Sequence, residues 1–148
     1  MTVAERLRRG ATRPEVAPAL FRLLAEAALS RAALDACGLP VAIAEAAGLR
    51  PISYVNQAFE AFFGYRAAEA LGRPVLALLA MDAECAGRLF GEPAQSVLLR
   101  TQRKDCSLAY VEVSVGAVRG SDGRVTHWVL AFCDHTELEQ LRERLSRP

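Results

Sequence analysis

The chain has 148 residues, 52% of them hydrophobic and 24% charged, which excludes a disordered composition and leaves enough apolar surface for one buried core. Eighteen basic and 17 acidic residues give a formal net charge of +1, so there is no overall field to recruit nucleic acid or an anionic membrane. The longest apolar run, Pro74 to Met81, falls far short of the ~20 residues that a spanning helix needs, and the N-terminus lacks the apolar stretch of a signal peptide. The expectation is a soluble, cytoplasmic protein.

The basic cluster Arg6, Arg8, Arg9 and Arg13 reads as a solvated terminus. Next, Leu20, Leu23, Leu24, Ala27 and Ala28 recur at helical spacing, with Leu34 further on. Gly38 and Pro40 supply a stop. This predicts a helix over about 16–36, whose stripe either docks on the domain's own core or pairs with another chain. PVAIAEA (40–46) and PISYV (51–55) read as two strands of a hairpin around AGLR. Asn56 can cap a short helix carrying Phe59, Phe62 and Phe63 and ended by Gly64. Short helices follow at about 66–71 and 83–90, the latter capped by Asp82 and ended by Gly91.

The period then changes to two. Val97, Leu99 and Thr101 alternate with Leu98, Arg100 and Gln102. Ala109, Val111, Val113, Val115 and Ala117 hold one face of the next strand. SDGR (121–124) turns into THWVLAFCD, predicting a three-strand antiparallel meander with one buried face. Thr136 and Glu139 have capping-box spacing before a last helix with a Leu138, Leu141, Leu145 stripe. The four cysteines, Cys37, Cys85, Cys106 and Cys133, form no CxxC pair and have no histidine at zinc-ligand spacing. They read as reduced, mostly buried small apolar residues, and no metal is expected.

YVNQAFEAFFGY (54–65), AEALGR (68–73), QRKD (102–105), DGRVTHWV (122–129) and DHTELE (134–139), in that order, resemble a PAS domain. Within that superfamily the pattern is similar to the LOV (light-oxygen-voltage) branch, the flavin-binding blue-light sensors. The resemblance implies an α+β fold: a five-stranded antiparallel sheet with short helices over one face, plus flanking N- and C-terminal helices. It divides the chain into an N-terminal helical cap or dimerisation segment at 1–37, a PAS/LOV-like core at 38–135, and a C-terminal helix at 136–148.

The chemistry of the branch carries over only residue by residue. After Gly72 and Arg73 the family has Asn-Cys-Arg, whose Cys bonds flavin and whose Arg grips its phosphate; here Val75 and Leu76 stand at those two positions. The family's two Asn and one Gln that hold the flavin ring correspond to Thr101, Val111 and Phe132. Leu130 stands where the family usually has Gly, and Val111, Trp128, Leu130 and Phe132 would together fill the flavin's space. The loop from Arg73 to Arg103 is also shorter than the family's. PAS haem proteins use a histidine from the helix corresponding to 83–90, and this one has none.

The sequence therefore predicts a PAS-type sensory and protein-interaction module, a cysteine-less LOV relative without flavin photochemistry and with no enzymatic activity. No catalytic, metal or cofactor site is expected. The alternative is a sensor that binds FMN or another small ligand in an unusual way. A homodimer is expected, through Leu20, Leu23, Leu24 and Ala27 with Leu138 and Leu141. A downstream protein partner would receive the signal, since no effector domain is visible. Neither nucleic acid nor membrane is expected as a partner.

Overall fold

The computed structural model describes residues 29–147, and the chain divides into two compact units, Met1–Ala36 and Cys37–Pro148. In the first, residues 29–36 are helical. They are the end of the helix expected over 16–36; its earlier part, with Leu20, Leu23, Leu24 and Ala27, lies outside the described residues.

The second unit runs β1 (Val41–Glu45), β2 (Ile52–Val55), α1 (Gln57–Phe63), α2 (Ala67–Ala70), α3 (Val75–Leu78), α4 (Ala83–Leu89), β3 (Val97–Gln102), β4 (Leu108–Arg119), β5 (Val125–Asp134) and α5 (Thr136–Ser146). The five strands form one antiparallel sheet in the order β2-β1-β5-β4-β3. The last strand is therefore the middle one: β5 pairs Ala42 of β1 with Leu130, and Val113 of β4 with Phe132. Its inward side chains sit at the centre of the sheet.

Alternation sets the buried face. Val97, Leu99 and Thr101 of β3 are buried, as are Ala109, Val111 and Val113 of β4. Beyond Val113 the expected face fades: Val115 is half-buried and Ala117 is exposed. β4 runs on past the helices that cover the core, so the period persists without burial.

Asn56 fixes the start of α1. Its Oδ1 accepts from Phe59 N (3.0 Å) and from Val41 N (2.9 Å), while its Nδ2 donates to the Leu39 carbonyl (2.9 Å). One buried amide thus caps the helix and ties it to the entry of β1. Gly64 ends α1 at φ 83°, a left-handed position that glycine takes without a Cβ penalty. Asp82 caps α4 through Cys85 N (2.8 Å). Gly91 passes so close to the Gly87 carbonyl oxygen that a Cβ there would collide with it.

The helix α3 falls within the apolar run that sequence periodicity leaves unassigned. Four residues are too few to show a 3.6-residue period, and Pro74, at its N-cap, offers no side-chain oxygen. Two further expectations fail. Thr136 does not make a capping box: its hydroxyl accepts from Tyr110 N (3.1 Å), so it joins α5 to β4, and its own N–H donates to Asp134 Oδ1 (2.9 Å). Nor are the cysteines mostly buried. Cys37, Cys106 and Cys133 are free and exposed, and only Cys85 is half-buried. Cys133 alternates with Phe132 and so faces outward, and Cys106 lies in the β3–β4 turn.

Candidate functional site

The concave face of the sheet meets the short helices over a core built on aromatic rings. Phe132 lies 5.8 Å from Phe59 and 5.1 Å from Phe63, centroid to centroid, edge-on to both. Phe59 and Phe63 are themselves 4.6 Å apart. All three are fully buried. The i, i+4 spacing on α1 puts Phe59 and Phe63 on one side of the helix, and β5's central place in the sheet puts Phe132 opposite them. Phe62 turns outward to a different job. The Arg103 guanidinium stacks over its ring at 4.6 Å and Nε donates to the Phe62 carbonyl (3.0 Å), which anchors the β3–β4 turn to α1.

Leu130, Val111 and Val75 are also fully buried in this core. Leu76 is half-buried against it. Thr101 is the polar exception. It is buried, and its hydroxyl donates to the Leu79 carbonyl (2.8 Å), just beyond α3, so its proton is already committed. Trp128 stands apart from Leu130 and Phe132: it is half-buried at the edge of the core, with its ring edge-on to Phe90 at 5.2 Å. It lines a surface groove of about 340 Å³ together with the 91–94 loop, Ala117 and Arg119. A second groove, about 400 Å³, lies between the end of α1 and the β3–β4 turn at Arg103 to Asp105.

The family model of the PAS fold matches residues 28–134. The chain belongs to the PAS family. An RNA-binding light-oxygen-voltage receptor is similar at 32% identity with a TM-score of 0.67; the match covers 82% of this chain and 38% of the receptor. The chain thus spans well under half of that receptor's length. The LOV domain of a blue-light activated histidine kinase from Erythrobacter litoralis is similar at 21% identity and a TM-score of 0.58, over 66% of this chain and 96% of that one. The LOV protein of Rhodobacter sphaeroides gives 19% and 0.60, over 70% and 64%. These last two show likeness of fold. No curated protein matches the chain. The PAS fold and LOV-like relationship read from the five sequence segments are both borne out.

At the positions that the LOV resemblance gives to the flavin, this PAS domain offers little that a flavin uses. Val75 carries no thiol and Leu76 no charge for a phosphate. Val111 and Phe132 present carbon where the family has amides, and Thr101 spends its hydroxyl on Leu79. A flavin ring placed here would leave several of its polar atoms unpaired, each at a cost of about 1–3 kcal/mol. Phe132 would also have to leave its contacts with Phe59 and Phe63. The donor set and the packing do not fit the group.

The titratable groups nearest the sheet lie on its outer side. His135 Nε2 meets Glu112 at 3.3 Å, and the Tyr110 hydroxyl donates to Glu143 of α5 (2.8 Å), a bond that raises the Tyr110 pKa. No group of three or more potential metal ligands occurs among the described residues. No helix among them is long and apolar enough to cross a membrane. Leu138 and Leu141 of α5 are 45% and 49% exposed.

Proposed function

We propose that this chain is a PAS signalling module that has kept the LOV fold without flavin photochemistry. The buried cluster of Phe59, Phe63 and Phe132 carries the reading, because it occupies with ring contacts the centre of the face on which a flavin would have to lie. With the interior committed to packing, output runs through surfaces. The module acts as a homodimer through the stripe Leu20, Leu23, Leu24 and Ala27 together with Leu138 and Leu141, and hands its signal to a protein partner. It performs no catalysis of its own. The exposed leucines of α5 support the surface role, and the bonds of Tyr110 in β4 to Thr136 and Glu143 of that helix would let it follow changes in the sheet.

The similarity to an RNA-binding receptor does not make this an RNA-binding protein in our reading. The match covers 38% of that receptor, and a net charge of +1 supplies little attraction for phosphates. The likeness to light-oxygen-voltage receptors favours one second reading, a sensor that binds FMN without the cysteine.

Thermal unfolding separates the two. A ligand that binds only the folded state raises Tm with concentration. Excess FMN is expected to leave the midpoint unchanged; a saturable rise supports the sensor. The dimer is tested by light scattering on the double variant Leu23→Glu, Leu24→Glu. Its mass is expected to halve relative to the parent, and an unchanged mass removes those leucines from any interface.

A further inference from the structure

The last helix is turned the unusual way round. The α5 residues bonded to the sheet are polar: Thr136 Oγ1 accepts from Tyr110 N (3.1 Å), and Glu143 accepts from the Tyr110 hydroxyl (2.8 Å). Two turns apart, they share one side of the helix. Leu138, Leu141 and Leu145 fall on the opposite side, at about 100° per residue. They are 45%, 49% and 85% exposed, and no residue of α5 is buried. An amphipathic helix that docks on its own domain turns its apolar stripe inward. Here the polar side faces inward, so this sheet is not what the leucines pack against.

The stripe has a register. Spacings of three and four, from Leu138 to Leu141 to Leu145, are the a, d and a positions of a coiled-coil heptad. Glu137 then falls at g and Arg142 at e, one on each flank of the stripe. In a parallel pair of helices each g residue faces the e residue five further along the other helix. Glu137 and Arg142 have that spacing and opposite charges. Glu137 makes no ion pair among the described residues. Arg142 gives one N–H to Glu139 of its own helix (3.0 Å), and a guanidinium has further donors to offer.

We propose that α5 pairs in parallel with the α5 of a second copy. Leu138, Leu141 and Leu145 form the seam, and Glu137 of each helix faces Arg142 of the partner subunit. The pattern is self-complementary, which a two-fold interface between identical chains requires. A partner of different sequence would not require the helix to match itself. α5 has 11 residues, and isolated helices of that length are marginal in water. The seam therefore adds to the proposed homodimer, on which this inference rests, and does not hold it alone.

Cross-linking in the full chain tests the seam. The exposed cysteines Cys37, Cys106 and Cys133 are replaced by Ser. Leu138→Cys is then oxidised mildly beside Gln140→Cys, which lies off the stripe. Parallel pairing brings each residue 138 against its own counterpart, whereas antiparallel pairing sets it against a different position. The disulfide dimer should form at least about tenfold faster at 138 than at 140. Leu145→Cys, one heptad on, repeats the test. Sedimentation over a dilution series reads the charges. Glu137→Arg or Arg142→Glu alone should raise the dimer's Kd about fivefold, and the two together should restore it. Arg142→Glu also breaks the pair with Glu139, which the second exchange does not repair, so recovery reports pairing between chains. A monomeric parent overturns the homodimer and the seam with it. A dimeric parent that cross-links no faster at 138 or 145 than at 140 overturns the seam alone. Fast cross-linking without recovery in the double charge variant overturns the pairing of Glu137 with Arg142.

Discussion

The two ends of β5 have been put to different uses. Around Phe132 the buried polar side chains have partners: Asn56 spends both atoms of its amide on three backbone groups, and Thr101 donates to Leu79. The rings there pack on one another and are sealed from solvent. Four residues earlier, Trp128 is half-buried beside a groove and edge-on to Phe90, whose ring carries the Arg50 guanidinium; Arg50 Nε has no hydrogen-bonding partner among the described residues. The first end has the physics of a core, where unmet hydrogen bonds and voids are costly. The second leaves an aromatic side chain half-open to a groove, with the packing demands of the core relaxed.

The sharpest way to break this contrast is to empty the packed end. Phe132→Ala removes a fully buried ring from contact with two others, and should cost about 3–5 kcal/mol in urea unfolding. A loss below about 1 kcal/mol would mean that the cluster is loose and the interior is not packed as described. Asn56→Ala deletes three hydrogen bonds at the junction of β1 and α1 and should cost about 2–3 kcal/mol. Thr101→Val keeps shape but leaves the Leu79 carbonyl unpaired, for about 1–2 kcal/mol in the same assay.

Away from the core the effects shrink. Leu138→Glu with Leu141→Glu should change stability by no more than about 0.5 kcal/mol, since both side chains are half-exposed, while lowering the mass seen by light scattering. A large loss of stability with no change of mass would instead make the stripe part of the domain's own packing. The smallest expected effect is one of pH. Hydrogen bonds from Cys85, first from its amide and then from its side chain, hold the Asp82 carboxyl below its ordinary value. A depressed carboxylate adds stability above its unfolded pKa, about 3.9, and loses it as pH falls through the lower folded value. Asp82→Asn should therefore flatten the acid side of the stability curve slightly, and an unchanged curve would show that the cap titrates as it does in the unfolded chain.

Much of the fold could be read from the chain because its signals are local. Asn56 and Asp82 each precede an apolar helical stretch by a cap's spacing, Gly64 marks the end of one, and alternation marks β4 most clearly. The resemblance put Phe132 on the pocket-facing side of the last strand, but that it meets Phe59 and Phe63 is legible only in the structure. What escaped notice depends on tertiary placement. The four residues of α3 are too short to show a period, and Thr136 has the spacing of a cap but finds Tyr110 instead. Cys133 belongs to an apolar-looking strand, yet parity alone decides that it faces outward. Arg50 gave the least warning. Gly48 signals a turn, but nothing in AGLR says that the arginine too will go left-handed or that its side chain will end on Phe90, 40 positions along the chain.

In the proposed reading, the chain's own side chains fill the face that a flavin would need. The most direct measurement is the absorbance spectrum of the purified protein, before and after incubation with excess FMN and gel filtration. An interior closed by Phe59, Phe63, Leu130 and Phe132 gives no flavin band in either spectrum. A band retained after filtration, and lost in a variant that enlarges one of these side chains, would contradict it and make the domain a cysteine-independent flavin sensor.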